Sequence, residues 1–173
     1  MALPDEIAQA IGIQGLGNAA SVLSRPADEF GNDASLEAAW AVKASEHADV
    51  YFNIICSVDP KLLRLTPHDD EIYKRFREQF PELPVQKLTT DQIKNEEAKK
   101  EWRAFCNSFE GKVEDFSFAT LLRLDSGDEY SQDNTEVVPR VQFYAVELAR
   151  NREGHNDSVK LKFKPQPRAK AVG

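Results

Sequence analysis

Over most of this chain apolar residues recur at three- and four-residue steps, the period of amphipathic helices. The clearest case is residues 139–154, PRVQFYAVELARNREG. Val141, Tyr144, Ala145, Leu148 and Ala149 share one face, and Phe143 and Val146 widen it, so this helix is expected to be buried on more than one side. Pro139 suits a first helical turn and Gly154 a left-handed stop. The last turn becomes polar at Arg150, Asn151, Arg152 and Glu153. Those arginines either complement the negative helix end or form a recognition patch.

Upstream, the pattern predicts three further helices. The first opens at Gly31-Asn32-Asp33, with Asp33 as N-cap and a stripe of Leu36, Trp40, Ala44, His47, Tyr51, Ile54 and Val58. Trp40 is its expected anchor and His47 a hydrogen-bonded core histidine. Asp59 and Pro60 end it. Thr66 and Pro67 then serve as N-cap and first residue of a helix with Ile72, Phe76 and Phe80 inward, its Asp69, Asp70 and Glu71 favouring the positive helix end. Thr89 and Gln92 have capping-box spacing, and helix continues to Phe109 with a break near Asn95. Ala98, Trp102, Phe105, Cys106 and Phe109 form its apolar face.

Residues 114–125, EDFSFATLLRLD, satisfy two periods. Phe116, Phe118, Thr120, Leu122 and Leu124 alternate as a strand does, while a cap at Asp115 would support a helix. Residues 126–135 are polar and read as a loop. VKLKFK, residues 159–164, alternates apolar and basic, so it reads as an edge strand or, by default, a solvated tail.

The ends divide the chain into an extension over 1–25, a domain over 26–157 and a basic tail over 158–173. Leu3, Ile7 and Ile11 stripe a short amphipathic helix in the extension, a candidate docking peptide for a recruiter. Length and charge refine this picture. With 173 residues, 41% hydrophobic, the chain suffices for one domain with a real core. Mean hydropathy is −0.52, and no apolar run is long enough for a membrane span. Five basic residues (Lys160, Lys162, Lys164, Arg168, Lys170) and no acidic ones follow Asp157, so against a whole-chain charge of −7 the remainder carries −12. That body disfavours nucleic acid and suits a basic partner; RNA contact is left to the tail. Cys56 and Cys106 read as buried reduced thiols of a cytosolic or nuclear protein, the cytoplasm being the location expected. No nucleophile elbow, phosphate loop or metal-ligand spacing stands out, His47, His68 and His155 lie apart, and no cofactor is expected.

GND at 31–33, AWA at 39–41, HA at 47–48, SVDP at 57–60, WR at 102–103, VEDF at 113–116, TLLRLD at 120–125 and ARNREG at 149–154 together resemble the polysaccharide biosynthesis domain-containing protein 1 family. The resemblance spans roughly residues 26–156; Ala119 stands where members often have Gly. It implies a mainly α, orthogonally packed helix bundle of one domain, which favours helix for residues 116–124 with one short β pair as fallback. It also implies a non-enzymatic, co-translational chaperone that holds the nascent GTP-binding domain of translation elongation factor 1-alpha and releases it when GTP binds. Arg123, Asp125, Arg140, Arg150, Asn151 and Arg152, in the matching segments, are the expected client contacts. The nascent-chain-associated complex and the ribosome are the expected recruiters, through Leu3, Ile7 and Ile11. An enzyme of polysaccharide or nucleotide-sugar metabolism, and a ribosome- or RNA-associated adaptor, are the rival readings.

Overall fold

The computed structural model describes residues 34–166, and side chains from Ala38 onward. The expectations for Leu3, Ile7, Ile11, Asp33, the Leu36 side chain, Arg168 and Lys170 lie outside the described residues. Six α-helices and one two-stranded antiparallel sheet make up the described part. In chain order these are α1 (Ala34–Ser57), a 3-10 turn (Pro60–Leu62), α2 (Asp69–Gln79), α3 (Thr90–Lys94), α4 (Glu96–Asn107), β1 (Ala119–Arg123), β2 (Thr135–Pro139), α5 (Arg140–Glu153) and α6 (Val159–Lys162).

The 139–154 pattern becomes α5, and α5 is the hub. It touches α2, α4, both strands and the 3-10 turn. Val141, Phe143, Ala145, Val146, Leu148 and Ala149 are all buried, so it is enclosed on several sides. Pro139 is its N-cap, and Gly154 ends it at φ 89°. No side chain with a β-carbon takes that conformation without strain.

The Thr89–Gln92 capping box forms reciprocally at the start of α3. Asn95 then ends α3 and caps α4 through its side-chain oxygen, 2.7 Å from the Ala98 nitrogen, which is the expected break. The second helix starts later than expected. Asp69 is buried, and its carboxylate accepts from the Leu65 and Thr66 nitrogens at 2.8 and 2.7 Å. One of the three first-turn acids therefore ties down the incoming chain besides facing the helix dipole.

Three expectations are corrected. Residues 119–123 form strand rather than helix, the short β pair expected as the fallback, and pair with 135–139, most of which lies beyond the expected loop. Thr120, Leu121, Leu122 and Arg123 are all buried, and β1 packs against both α1 and α5. On α1 the buried stripe runs through Ala44, Ala48, Tyr51, Ile55 and Cys56, while Ile54 and Val58 stay about 40% exposed at 39% and 41%. Small alanines there let α1 lie close to Leu121 and Tyr130, and that approach selects the stripe. Trp40 is only half-buried; the fully covered aromatic anchors are Phe76, Phe109 and Phe143. Phe80 stacks on Trp102 with ring centroids 4.4 Å apart, and Phe76 stacks on it at 5.6 Å.

The packed body also runs past the boundary expected at 157. Residues 159–162 form a helical turn rather than a strand or solvated tail. Val159 is fully buried, Phe163 packs on the core, and the Gln166 backbone exchanges hydrogen bonds with the Asn53 side chain. The cysteines are both buried and unpaired with each other. His47 bonds Thr120 Oγ1 through Nδ1 at 2.7 Å and meets the Phe143 ring edge-on at 5.0 Å, the core role expected of it. Among the described residues no helix is long and apolar enough to cross a membrane.

Candidate functional site

Four of the six expected client contacts gather around the C-terminal half of α5, in two sets. Arg123, Arg150 and Asn151 do not form a surface patch. Both arginines are 0% exposed and Asn151 is 2% exposed. Their charge is explained by Glu147, also fully buried, one helical turn before Arg150. Arg150 donates to Glu147 Oε1 at 2.8 Å, while Arg123 stands 3.6 Å from the same oxygen. Tyr51 donates to Oε2 at 2.7 Å, and Asn156 Nδ2 reaches it at 2.9 Å.

The remaining donors go mainly to backbone. Arg150 binds the carbonyls of Val85 and Leu124 at 2.7 and 2.8 Å. Arg123 binds those of Ser126 and Asp128 at 2.8 and 2.9 Å, and Asn156 Oδ1 at 2.8 Å. These two side chains thus hold three connecting loops against the hub. Burial alone pushes the Glu147 carboxyl up; Arg123, Arg150 and the Tyr51 hydroxyl outweigh it and hold it below the usual carboxylate range. Burial, then the nearby Glu147 charge, pushes the Tyr51 hydroxyl up.

The second set is on the surface. Arg152 donates to Asp70 Oδ1 at 2.7 Å and lies over the Tyr73 ring at 5.1 Å. Beside it Glu153 accepts from Arg77 Nε at 2.8 Å and from the Tyr73 hydroxyl at 3.0 Å. Asp70, Asn151 and Arg152 border a hollow of about 300 Å³ together with Lys61 and Arg64 from the 3-10 turn region. This is a mixed-charge surface whose parts come from α2, α5 and the 3-10 turn region before α2.

Asp125 and Arg140 lie apart from it. Asp125 shapes its own turn: its carboxylate accepts from the Gly127 nitrogen at 2.8 Å, and its backbone is clasped by Asn134. Arg140 sits at the other end of α5, 3.9 Å from Asp115. The structure therefore brings Arg123, Arg150 and Asn151 together inside, leaves Arg152 at the surface above them, and separates Arg140.

Sequence reasoning missed Glu147, Tyr51, Asn156, Asp70, Tyr73 and Arg77 as members of these clusters. One signal was readable: a glutamate embedded in an otherwise apolar sector, three residues before an arginine. Such a charge is buried only with partners.

Comparison with known proteins gives a consistent result. Residues 36–161 match the family described as PBDC1 protein. The Mus musculus Protein PBDC1 is 47% identical over 154 residues, covering 89% of this chain and 78% of the relative. The Protein PBDC1 homolog of Saccharomyces cerevisiae is 47% identical over 137 residues, covering 77% and 94%. Among solved structures, a solution NMR structure of a Saccharomyces cerevisiae protein aligns with a TM-score of 0.72 at 44% identity, covering 79% of this chain and 97% of the other.

Proposed function

The chain belongs to the PBDC1 protein family, and from that premise we propose that it is a non-enzymatic, cytoplasmic chaperone for the nascent GTP-binding domain of translation elongation factor 1-alpha. The observation that supports this reading most is the outer cluster of Arg152, Asp70, Tyr73, Glu153 and Arg77, mounted on a buried ion network that fixes its position. A polar surface held in one geometry can grip a partner without first being ordered, which lowers the cost of association.

The client's chemistry fits. A GTPase domain lacking nucleotide lacks the ligand that holds its phosphate loop, and GTP adds folding free energy by mass action. A chaperone that prefers the empty form is released as GTP shifts the population. The −12 charge of the chain before residue 158 steers a basic client towards it. Of the expected contacts, Arg152 at one end of α5, Arg140 at the other and the half-buried Asp125 remain as surface candidates; Arg123, Arg150 and Asn151 hold the scaffold. The nascent-chain-associated complex and the ribosome are the proposed recruiters, engaged by Leu3, Ile7 and Ile11.

The test is translation of the elongation factor with this chain present and GTP varied. Association is expected before nucleotide loads and absent after; equal capture of empty and GTP-filled client would refute the reading. The charged hollow beside Asp70 and Arg152 favours one second reading, a site for a nucleotide sugar. Saturable binding of a uridine diphosphate sugar, lost on Arg152→Glu, would support that instead.

A further inference from the structure

A second hollow of about 300 Å³ opens between α4 and the start of α5, at the opposite end of that helix from Arg152. Its apolar lining includes Ile93, Trp102, Phe116, Val137 and Val138. Two cations on α4, Lys99 and Arg103, line it one turn apart, are exposed, and form no ion pair among the described residues. Lys94, the third cation there, is neutralised by Glu136 at 3.2 Å. Trp102 is 3% exposed, and its indole N–H has no hydrogen-bond partner.

The β-ladder adds a directional feature. Arg140 N bonds Phe118 O at 2.7 Å, and Leu124 N bonds Asn134 O at 3.0 Å. In an antiparallel ladder bonded pairs recur every second residue. Thr120↔Val138 and Leu122↔Glu136 are then the bonded pairs, and Leu121↔Val137 is the pair whose backbone groups turn outward. Leu121 agrees, because its carbonyl accepts from the Tyr130 hydroxyl at 3.0 Å rather than from β2. Val137 therefore directs its N–H and C=O away from β1, on the edge of a two-stranded sheet. Its side chain is 47% exposed, and it lines the hollow.

We propose that this groove is a docking site for an extended segment of another protein, one that carries apolar side chains and carboxylates two residues apart on the same face. The segment adds to the β2 edge at Val137, seats its apolar side chains on Phe116 and Val137, and presents carboxylates from that same face to Lys99 and Arg103. Strand addition supplies backbone bonds for any sequence, so the apolar side chains and the charge on that face confer the selectivity. The two uncompensated cations make the occupant acidic, in contrast to the basic client of the chaperone reading, and this inference does not depend on that reading.

The experiment uses the full chain and two labelled nonapeptides, one repeating Val-Val-Glu-Glu and one repeating Val-Val-Lys-Lys, so that each strand face carries both residue types. The glutamate peptide is expected to bind, with amide exchange at Val137 slowed in the complex. Double reversal, Lys99→Glu with Arg103→Glu, is expected to weaken it by about tenfold or more and to leave the unfolding midpoint unchanged. N-methylation of the peptide's central amides is expected to weaken it similarly. Equal binding of both peptides, no binding of the glutamate peptide, or indifference to N-methylation would overturn the proposal. So would preferential binding of a peptide copying residues 2–13, which assigns the groove to the chain's own segment, or concentration-dependent self-association that the glutamate peptide reverses, which assigns it to a second copy.

Discussion

Two charge clusters stand six residues apart on α5, and they do opposite work. Around Glu147 every charged side chain is sealed from water. Around Glu153, Arg77 and Glu153 keep side-chain exposures of 20% and 26%, and Asp70 reaches 91%. Desolvation decides the difference. A buried carboxylate between two arginines is costly to leave incomplete, so its neighbours are specified by the fold. An exposed pair exchanges with water at little cost, so its partners can be given up to another molecule. The same helix thereby carries a structural lock inside and, outside, a surface placed by that lock whose ion pairs can be exchanged for a partner's.

The comparison can be broken most severely at Glu147. Glu147→Gln leaves two buried guanidiniums without a counter-charge and is expected to lower stability by about 3–5 kcal/mol, measured by urea unfolding. Wild type should also lose the Glu147 contribution on acidification. The folded carboxyl titrates below its unfolded value, so stabilisation is present above the unfolded pKa and disappears as pH falls through the folded one. A Glu147→Gln variant as stable as wild type would place the lock elsewhere.

Tyr51→Phe is a milder cut through the same cluster. It removes the donor to Glu147 and the acceptor for Asn151, and is expected to cost about 1–3 kcal/mol in the same assay.

His47 tests whether burial or pairing governs the α1 side of the core. Burial, followed by the Arg140 charge, lowers its pKa from 6.5 to about 4. The unfolded chain takes up the proton near 6.5 and the folded chain only near 4, so stability should fall as pH drops through that interval. His47→Gln should flatten that slope in pH-dependent thermal unfolding; an unchanged slope would assign it to other groups.

The smallest effect on stability is expected outside. Glu153→Gln should cost under about 1 kcal/mol and less still at high salt. Arg152→Glu should leave thermal unfolding nearly unchanged while reducing capture of the nucleotide-free client in pull-downs. Unfolding of that variant would make Arg152 part of the lock.

Those two clusters also show how much the sequence could tell. The hub helix was legible because Pro139, its apolar residues and Gly154 agree on one element. The Asn95 break and the Thr89 cap were legible for the same reason: local side-chain chemistry fixes them. The strand pair was harder. EDFSFATLLRLD satisfies both periods, and TEVVP is too short to announce a strand without its partner. On α1 the apolar face is wide, and only close approach to β1 selects the alanine stripe over Ile54 and Val58. At the site, Arg123 and Arg150 look like surface cations because arginine is seldom fully buried. Their partners Tyr51 and Asn156 lie about a hundred residues apart, and no local pattern links them.

That separation in sequence bears on how this chain is itself made. Tyr51 and Asn156 complete the shell around Glu147, and Gly154 turns the backbone so that Asn156 returns to it. A growing polypeptide emerges from its N-terminal end, and its domains close as units. The central carboxylate can have no full set of partners until nearly all of the ordered body has left the ribosome. The C-terminal end of the ordered body thus supplies the keystone, and a product truncated before residue 156 would carry an unsealed ionic centre.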